Sequence, residues 1–100
     1  MNIKIAAVCD NDLSGKLLTD ACSKLGMILH YEVQNQKGII NKLSNNIIKN
    51  SNIVLFVTEK EVGQIEEIER FIDREYYEVS PQFVIENTNN VISEITLDLN

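Results

Sequence analysis

One hundred residues, of which 44% are hydrophobic and 24% are charged, match the composition of a soluble globular protein with one core. We therefore expect a single domain over residues 1–100. The net charge of −6 argues against a nucleic-acid partner, which would require a basic face. No apolar stretch approaches the roughly 18 residues of a membrane span, and a signal-peptide pattern is lacking. We expect a cytoplasmic protein that does not insert into the membrane.

The first part of the chain predicts a strand, a helix and a second strand. Residues 2–8 form an apolar run that is typical of a strand, and residues 13–25 have helical spacing. Gly26 is a natural helix stop, and residues 27–33 predict the second strand. A polar loop is expected over residues 34–38.

The middle of the chain predicts a helix, a central strand and an acidic helix. Residues 39–49 place their apolar side chains at helical spacing. The continuous apolar run at 52–58 is typical of a parallel strand that is covered on both faces. Residues 59–69 are acidic with apolar side chains at helical spacing, which predicts a short exposed helix. Phe71, together with Ile68 and Ile72, is expected in the core.

The last part of the chain predicts a strand and a helix. Residues 76–79 form the fourth predicted strand. Ser80 is a suitable N-cap and Pro81 suits the first helical position, so a helix is expected over residues 81–95. The asparagine-rich stretch at 87–90 weakens the middle of this helix.

Strands and helices alternate along the whole chain. Such alternation requires parallel strands that are joined by crossover helices. We therefore predict an α/β fold, with an open four-stranded parallel sheet and helices on both faces. This is a Rossmann-like three-layer sandwich. Tyr31, Tyr76 and Tyr77 are expected to pack on the faces of this sheet.

Cys9 directly follows the first predicted strand and precedes the first predicted helix. Ligands bind at this turn in open α/β sheets, because N–H groups and the helix dipole both face it. Cys9 is therefore a candidate nucleophile, and a buried structural thiol is the alternative. Cys22 lies within the predicted helix and is expected in the core. A disulfide between the two is not expected in a cytosolic protein.

The residues after Cys9 are candidates for a phosphate-binding loop. The turn supplies N–H groups, and Ser14 and Lys16 add a hydroxyl and an ammonium. Asp10 and Asp12 oppose an anion, since a charge about 6 Å away costs roughly 1.4 kcal/mol, or about one pKa unit, at an effective dielectric of about 40. Asp12 is also well placed as an N-cap. The candidate loop comprises Asp10, Asn11, Asp12, Leu13, Ser14, Gly15 and Lys16.

Three other kinds of site do not fit the residues near Cys9. Low-molecular-weight tyrosine phosphatases need an arginine six positions after the cysteine, where this chain has Gly15. Receiver domains need an aspartate after the third strand, which here ends in Thr58 and Glu59. Asp10 and Asp12 have no third metal ligand nearby in the sequence. No metal or other cofactor is expected.

Six short motifs occur in the order and at the spacings of one known family. They are K-I-A-A-V-C at 4–9, K-L-G at 24–26, Y-E-V-Q-N-Q-K-G at 31–38, S-N-I-V-L-F-V at 51–57, E-R-F at 69–71 and Y-Y-E-V-S at 76–80. Through these motifs the chain resembles the fructose-type enzyme IIB component of the bacterial sugar phosphotransferase system.

The resemblance implies that Cys9 carries a phosphoryl group. Cys9 would accept this group from a phosphohistidine of the IIA protein and pass it to a fructose-like sugar held by the membrane IIC component. N–H groups of residues 11–15 would position it. The family pattern after the cysteine is approximately P-T-G-x-A-H-T, so the family's His and Thr fall on Gly15 and Lys16. The alternative function is an inactive IIB-like domain that serves as a regulatory or protein-binding module.

Overall fold

The computed structural model describes residues 3–97. Two 3-10 turns, Val62–Gln64 and Ile68–Arg70, lie in the connection that precedes the last strand. In chain order, the strands and helices are β1 (Lys4–Cys9), α1 (Asp12–Lys24), β2 (Ile28–Asn35), β3 (Gly38–Ile40), α2 (Asn45–Lys49), β4 (Ile53–Val57), β5 (Tyr76–Val79) and α3 (Pro81–Thr96).

A five-stranded sheet in the order β3-β2-β1-β4-β5 forms the middle layer. β1 is the central strand and pairs in parallel with β2 and β4, and β4 pairs in parallel with β5. The predicted α/β fold and its four parallel strands are confirmed. The fifth strand, β3, is antiparallel and was not predicted.

The β2–β3 hairpin replaces the predicted loop at 34–38 and the start of the helix predicted over 39–49. Asn35 pairs with Gly38, so only two residues form the turn. The Lys37 N–H donates to Asn35 Oδ1 at 2.8 Å, and Gly38 takes a φ of 119° that other residues avoid. Helix α2 keeps only five residues, because pairing with β2 uses the backbone at Ile39 and Ile40.

The prediction of an acidic helix over 59–69 is also wrong, since this segment forms only the two 3-10 turns. Contacts with a distant side chain oppose a continuous helix here. Gln34 Oε1 accepts the Glu66 N–H at 3.0 Å, and Gln34 Nε2 donates to the Glu66 carbonyl at 3.1 Å. Glu67 then adopts a left-handed conformation with φ 54°, which breaks helical continuity.

Helices cover both faces of the sheet, which confirms the three-layer arrangement. Helices α1 and α3 cover one face, where side chains of β1 such as Ile5 and Cys9 are buried. Helix α2 and the 3-10 turns cover the other face, where Phe56 meets Phe71 edge-on with ring centroids 5.6 Å apart. Phe71 is buried as predicted, whereas Ile72 is 69% exposed and lies outside the core.

A buried ion pair connects the segment between β4 and β5 to the middle of β2. Glu32 is fully buried, and its two carboxylate oxygens each accept from Arg70 at 2.9 Å. Glu32 also accepts the Leu43 N–H at 3.0 Å and Gln34 Nε2 at 2.9 Å. Because every oxygen of Glu32 has at least two donors, the charge is compensated although it is out of water.

Candidate functional site

Cys9 is the last residue of β1 and is buried, with no exposed surface. The sequence predicted it in the turn, but its backbone is still paired with Val33 of β2 and Val57 of β4. The next residue continues the sheet, because the Asp10 N–H donates to the Val57 carbonyl at 3.0 Å. The thiol therefore lies at the carboxyl edge of the central strand, on the face that α1 and α3 cover.

Helix α1 begins one residue earlier than predicted, so its N-cap is Asn11 rather than Asp12. Asn11 has an extended backbone, and its Oδ1 accepts the Ser14 N–H at 2.8 Å. Asn11 Nδ2 donates to Asp10 Oδ1 at 2.8 Å. By position, the N–H groups of Asp12 and Leu13 have no partner within the helix. These two groups are the backbone donors at this end of α1.

The candidate loop residues divide into a buried and an exposed set. Ser14 and Gly15 are buried against the sheet, and Ser14 Oγ has no hydrogen-bond partner among the described residues. Asp12, Leu13 and Lys16 are exposed, and Asp10 and Asn11 are partly buried. The exposed residues begin three positions after Cys9, so they lie in solvent next to the end of β1 that carries the buried thiol.

The environment of Cys9 favours the protonated thiol. Burial is the largest cause and the charges of Asp10 and Asp12 add to it, so that together they raise the pKa of Cys9 from 9.0 to about 12. The sequence anticipated the effect of the two carboxylates but left the burial open. Cys22 is also buried, as predicted, and burial raises its pKa to about 11. Both cysteines are free thiols.

Asp12 is held by two donors from different elements. The Tyr31 hydroxyl donates to Asp12 Oδ1 at 2.7 Å, and Lys16 Nζ lies 3.0 Å from Asp12 Oδ2. These two bonds hold the pKa of Asp12 below its usual value. Conversely, the hydrogen bond to Asp12 is the main cause that raises the pKa of Tyr31 to about 12, with burial and the charges of Asp12 and Cys9 contributing.

Tyr31 is the residue of this site that the sequence did not indicate. It lies in β2 opposite Ala7 and contacts the buried cluster that contains Cys9. Its ring lies against Gly15, where a β-carbon would be 2.2 Å from Cε2 of the ring. Gly15 was the only sign in the sequence that another residue packs at this position. Identifying that residue as Tyr31 requires the register of β1 and β2, which the sequence does not reveal.

Solved structures of similar fold identify the family. The solution structure of the enzyme IIB subunit of the PTS system from Escherichia coli K12 matches with a TM-score of 0.87 and 26% identity, over 99% of this chain and 95% of that chain. A domain of the fructose-specific IIABC component of the PTS system from Borrelia burgdorferi is 31% identical, with a TM-score of 0.81, over 94% of this chain and 93% of that chain. The chain belongs to the fructose-type enzyme IIB family. The resemblance that the sequence motifs indicated is thus confirmed.

Other comparisons agree with this IIB assignment in fold alone or give no match. A predicted fructose-specific IIB from Escherichia coli has a TM-score of 0.81 at 20% identity, over 92% of this chain and 85% of that chain. No protein-family model and no curated protein matches the chain.

The IIB domain is compact in its described part and its helices are short. Within residues 3–97, no helix is long and apolar enough to cross a bilayer. Over the same residues, the side chains of His, Cys, Asp and Glu form no group of three that could hold a metal ion.

Proposed function

We propose that this IIB domain is a phosphocarrier of a sugar phosphotransferase system. Cys9 accepts a phosphoryl group from a phosphohistidine of a IIA protein and passes it to a fructose-like sugar held by a membrane IIC component. The observation that carries the proposal is the place of Cys9, at the carboxyl end of the central strand and three residues before the start of α1. One of the matching domains is itself described as part of a fructose-specific component.

The first transfer exchanges a phosphorus–nitrogen bond for a phosphorus–sulfur bond. The sulfur of Cys9 attacks phosphorus while the bond to the donor imidazole breaks, and the thiol proton goes to the departing imidazole nitrogen. In the second transfer, a sugar hydroxyl displaces the sulfur, and its proton returns to Cys9. A thiol suits both steps because it is a strong nucleophile as thiolate and its phosphoester transfers readily.

The helix start offers modest help to the incoming group. The N–H groups of Asp12 and Leu13 and the dipole of α1 favour an anion near Cys9, by about 0.3–2 kcal/mol. Because burial and the two nearby carboxylates raise the pKa of Cys9 to about 12, the thiol is almost entirely protonated at pH 7. Attack therefore requires the thiol to lose its proton as the donor arrives, and the loop at 10–13 to uncover the sulfur.

The same burial favours a second candidate function, a IIB-like domain that acts as a regulatory or protein-binding module. A fully buried thiol beside Asp10 and Asp12 has the properties of a core residue. In that case the exposed residues around the loop would serve as a contact surface, and Cys9 would only fill space.

Phosphorylation from a IIA protein tests the two candidates against each other. The intact mass is measured after incubation with phosphoenolpyruvate, the general phosphotransferase proteins and a cognate IIA. We expect the mass of one phosphoryl group in the wild type and in Cys22→Ser, the matched control for a second buried thiol, and none in Cys9→Ser. If the wild type gains no mass while an active IIB domain is labelled by the same donor, the module is the better account.

A further inference from the structure

Tyr31 and Lys16 hold an anion beside the Cys9 loop. Tyr31 comes from β2 and Lys16 from the second turn of α1, yet both reach the carboxylate of Asp12, at 2.7 and 3.0 Å. Each donor uses a different oxygen of that carboxylate. The arrangement is that of a small anion-binding pair whose present ligand is a side chain of the protein itself.

The position of Tyr31 depends on Gly15. Any β-carbon at position 15 would lie 2.2–2.6 Å from three atoms of the Tyr31 ring, so the ring occupies the space of a side chain from the loop. Tyr31 pairs with Ala7 of β1. Ala7 and Cys9 are two residues apart in this strand, so their side chains lie on the same face of the sheet, which α1 covers. A hydroxyl from β2 is thereby delivered to the start of α1, near the strand end that carries the thiol.

Another anion can readily displace the Asp12 carboxylate from Tyr31 and Lys16. The Asp12 and Lys16 side chains are 54% and 70% exposed, and an exposed ion pair four residues apart on a helix contributes little to stability. A phosphoryl group has the same kind of acceptor oxygens, with more charge, and makes stronger charge-assisted hydrogen bonds. It would compete well for the same two donors.

We propose that the Tyr31 hydroxyl and the Lys16 ammonium bind the phosphoryl group of phosphorylated Cys9, and that Asp12 occupies this pair in the unphosphorylated protein. On phosphorylation Asp12 turns out to solvent, which also takes its charge away from the new dianion. The inference rests on the proposed function of Cys9. In this proposal Tyr31 contacts the transferred phosphoryl group directly and does more than orient Asp12.

The pair is tested without any transfer reaction, by titrating inorganic phosphate and following the backbone amide signals of residues 10–16 by NMR. Asp12→Asn removes the resident anion, so we expect it to bind phosphate at least tenfold more tightly than the wild type. Asp20→Asn, which makes the same charge change at an exposed position of α1, should leave the affinity unchanged. An equal gain from both variants would overturn the inference, because a general charge effect would then suffice.

A second substitution separates binding by Tyr31 from its contact with Asp12. In the Asp12→Asn background, Tyr31→Phe or Lys16→Met should cancel the tenfold gain in phosphate affinity. If Tyr31 only orients Asp12, then Tyr31→Phe has no effect once Asp12 is replaced, and that result contradicts the proposal. Because phosphate binding needs no IIA protein, the outcome is distinct from a failure of Cys9 to accept a phosphoryl group.

Discussion

The ring of Tyr31 fills the space that a side chain at position 15 would need. A β-carbon on Gly15 would lie 2.2 Å from Cε2 of Tyr31, far inside any van der Waals contact. Gly15 lies in the first turns of α1, where the family pattern has a histidine. The small residue at position 15 and the large ring at position 31 therefore fit each other. Through this contact the loop after Cys9, which differs from the family pattern, packs on β2.

Gly15→Ala should destabilise the protein, although alanine normally stabilises a helix by about 1 kcal/mol relative to glycine. The expected loss is about 1–3 kcal/mol, because the new methyl group overlaps the Tyr31 ring. Urea unfolding measures the free energy of unfolding. Gly63→Ala is the control, since a β-carbon there would have no atom within 4 Å beyond its own residue and its two chain neighbours. A stabilised Gly15→Ala protein would show that the ring moves away freely.

The reactivity of Cys9 should respond to Asp12. Its thiol pKa is raised to about 12 by burial first, then by Asp10 and Asp12, so removing one of these charges lowers the pKa. We expect Asp12→Asn to shift the rate profile for alkylation of Cys9 between pH 7 and 10 to lower pH, by up to about one unit. Peptide mapping separates Cys9 from Cys22.

The control for this shift is Asp20→Asn, whose carboxylate is also on α1 but is not among the causes of the raised pKa. Its alkylation profile should superpose on that of the wild type. Superposition of the Asp12→Asn profile as well would mean that burial alone sets the reactivity of Cys9.

The buried Glu32–Arg70 pair should dominate the stability of the segment between β4 and β5. Glu32→Gln removes the buried charge that pairs with Arg70 and leaves only the partly exposed Glu67, 3.7 Å from Arg70 Nε. The substitution should cost about 3–5 kcal/mol. Lys42→Ala, which breaks the exposed pair with Glu67 at 2.7 Å, should cost at most about 1 kcal/mol. Equal losses in the two variants would contradict a special role for the buried pair.

The same pair predicts how stability depends on pH. Burial would raise the pKa of Glu32, but hydrogen bonds from Arg70, Gln34 and Leu43 outweigh it and hold the pKa below the ordinary 4.5. Since the folded state has the lower pKa, this stabilisation is present above pH 4.5 and is lost as the pH falls below it. The free energy of unfolding of Glu32→Gln should therefore fall less steeply between pH 4.5 and 3 than that of the wild type.

Local patterns in the sequence were sufficient to predict the parallel strands and the ends of α3. The run at 52–58 became β4 because its residues are buried on both faces. Ser80 caps α3 as predicted, with its Oγ accepting the Phe83 N–H at 3.2 Å. The weakness predicted at 87–90 corresponds to Asn87, whose φ and ψ of −140° and 48° are not helical. In each case the deciding interaction lies within a few residues.

Features that depend on distant partners were missed. The helix predicted over 59–69 is absent because Gln34, 32 residues away, binds both backbone groups of Glu66. Likewise, Cys9 was predicted as the candidate nucleophile, but Tyr31 could be added only once the pairing of β1 and β2 was known. The spacing of residues along one helix or strand cannot reveal which residues of a distant strand will contact it in the folded protein.

The central claim is that Cys9 carries the phosphoryl group, and tandem mass spectrometry of the phosphorylated protein tests it most directly. The protein is labelled by its IIA partner, digested under conditions that preserve phosphocysteine, and the modified residue is located. We predict the added group on the peptide that contains Cys9, at the sulfur. A group found instead on His30, the single histidine of the sequence, or on any other residue than Cys9, would contradict this account.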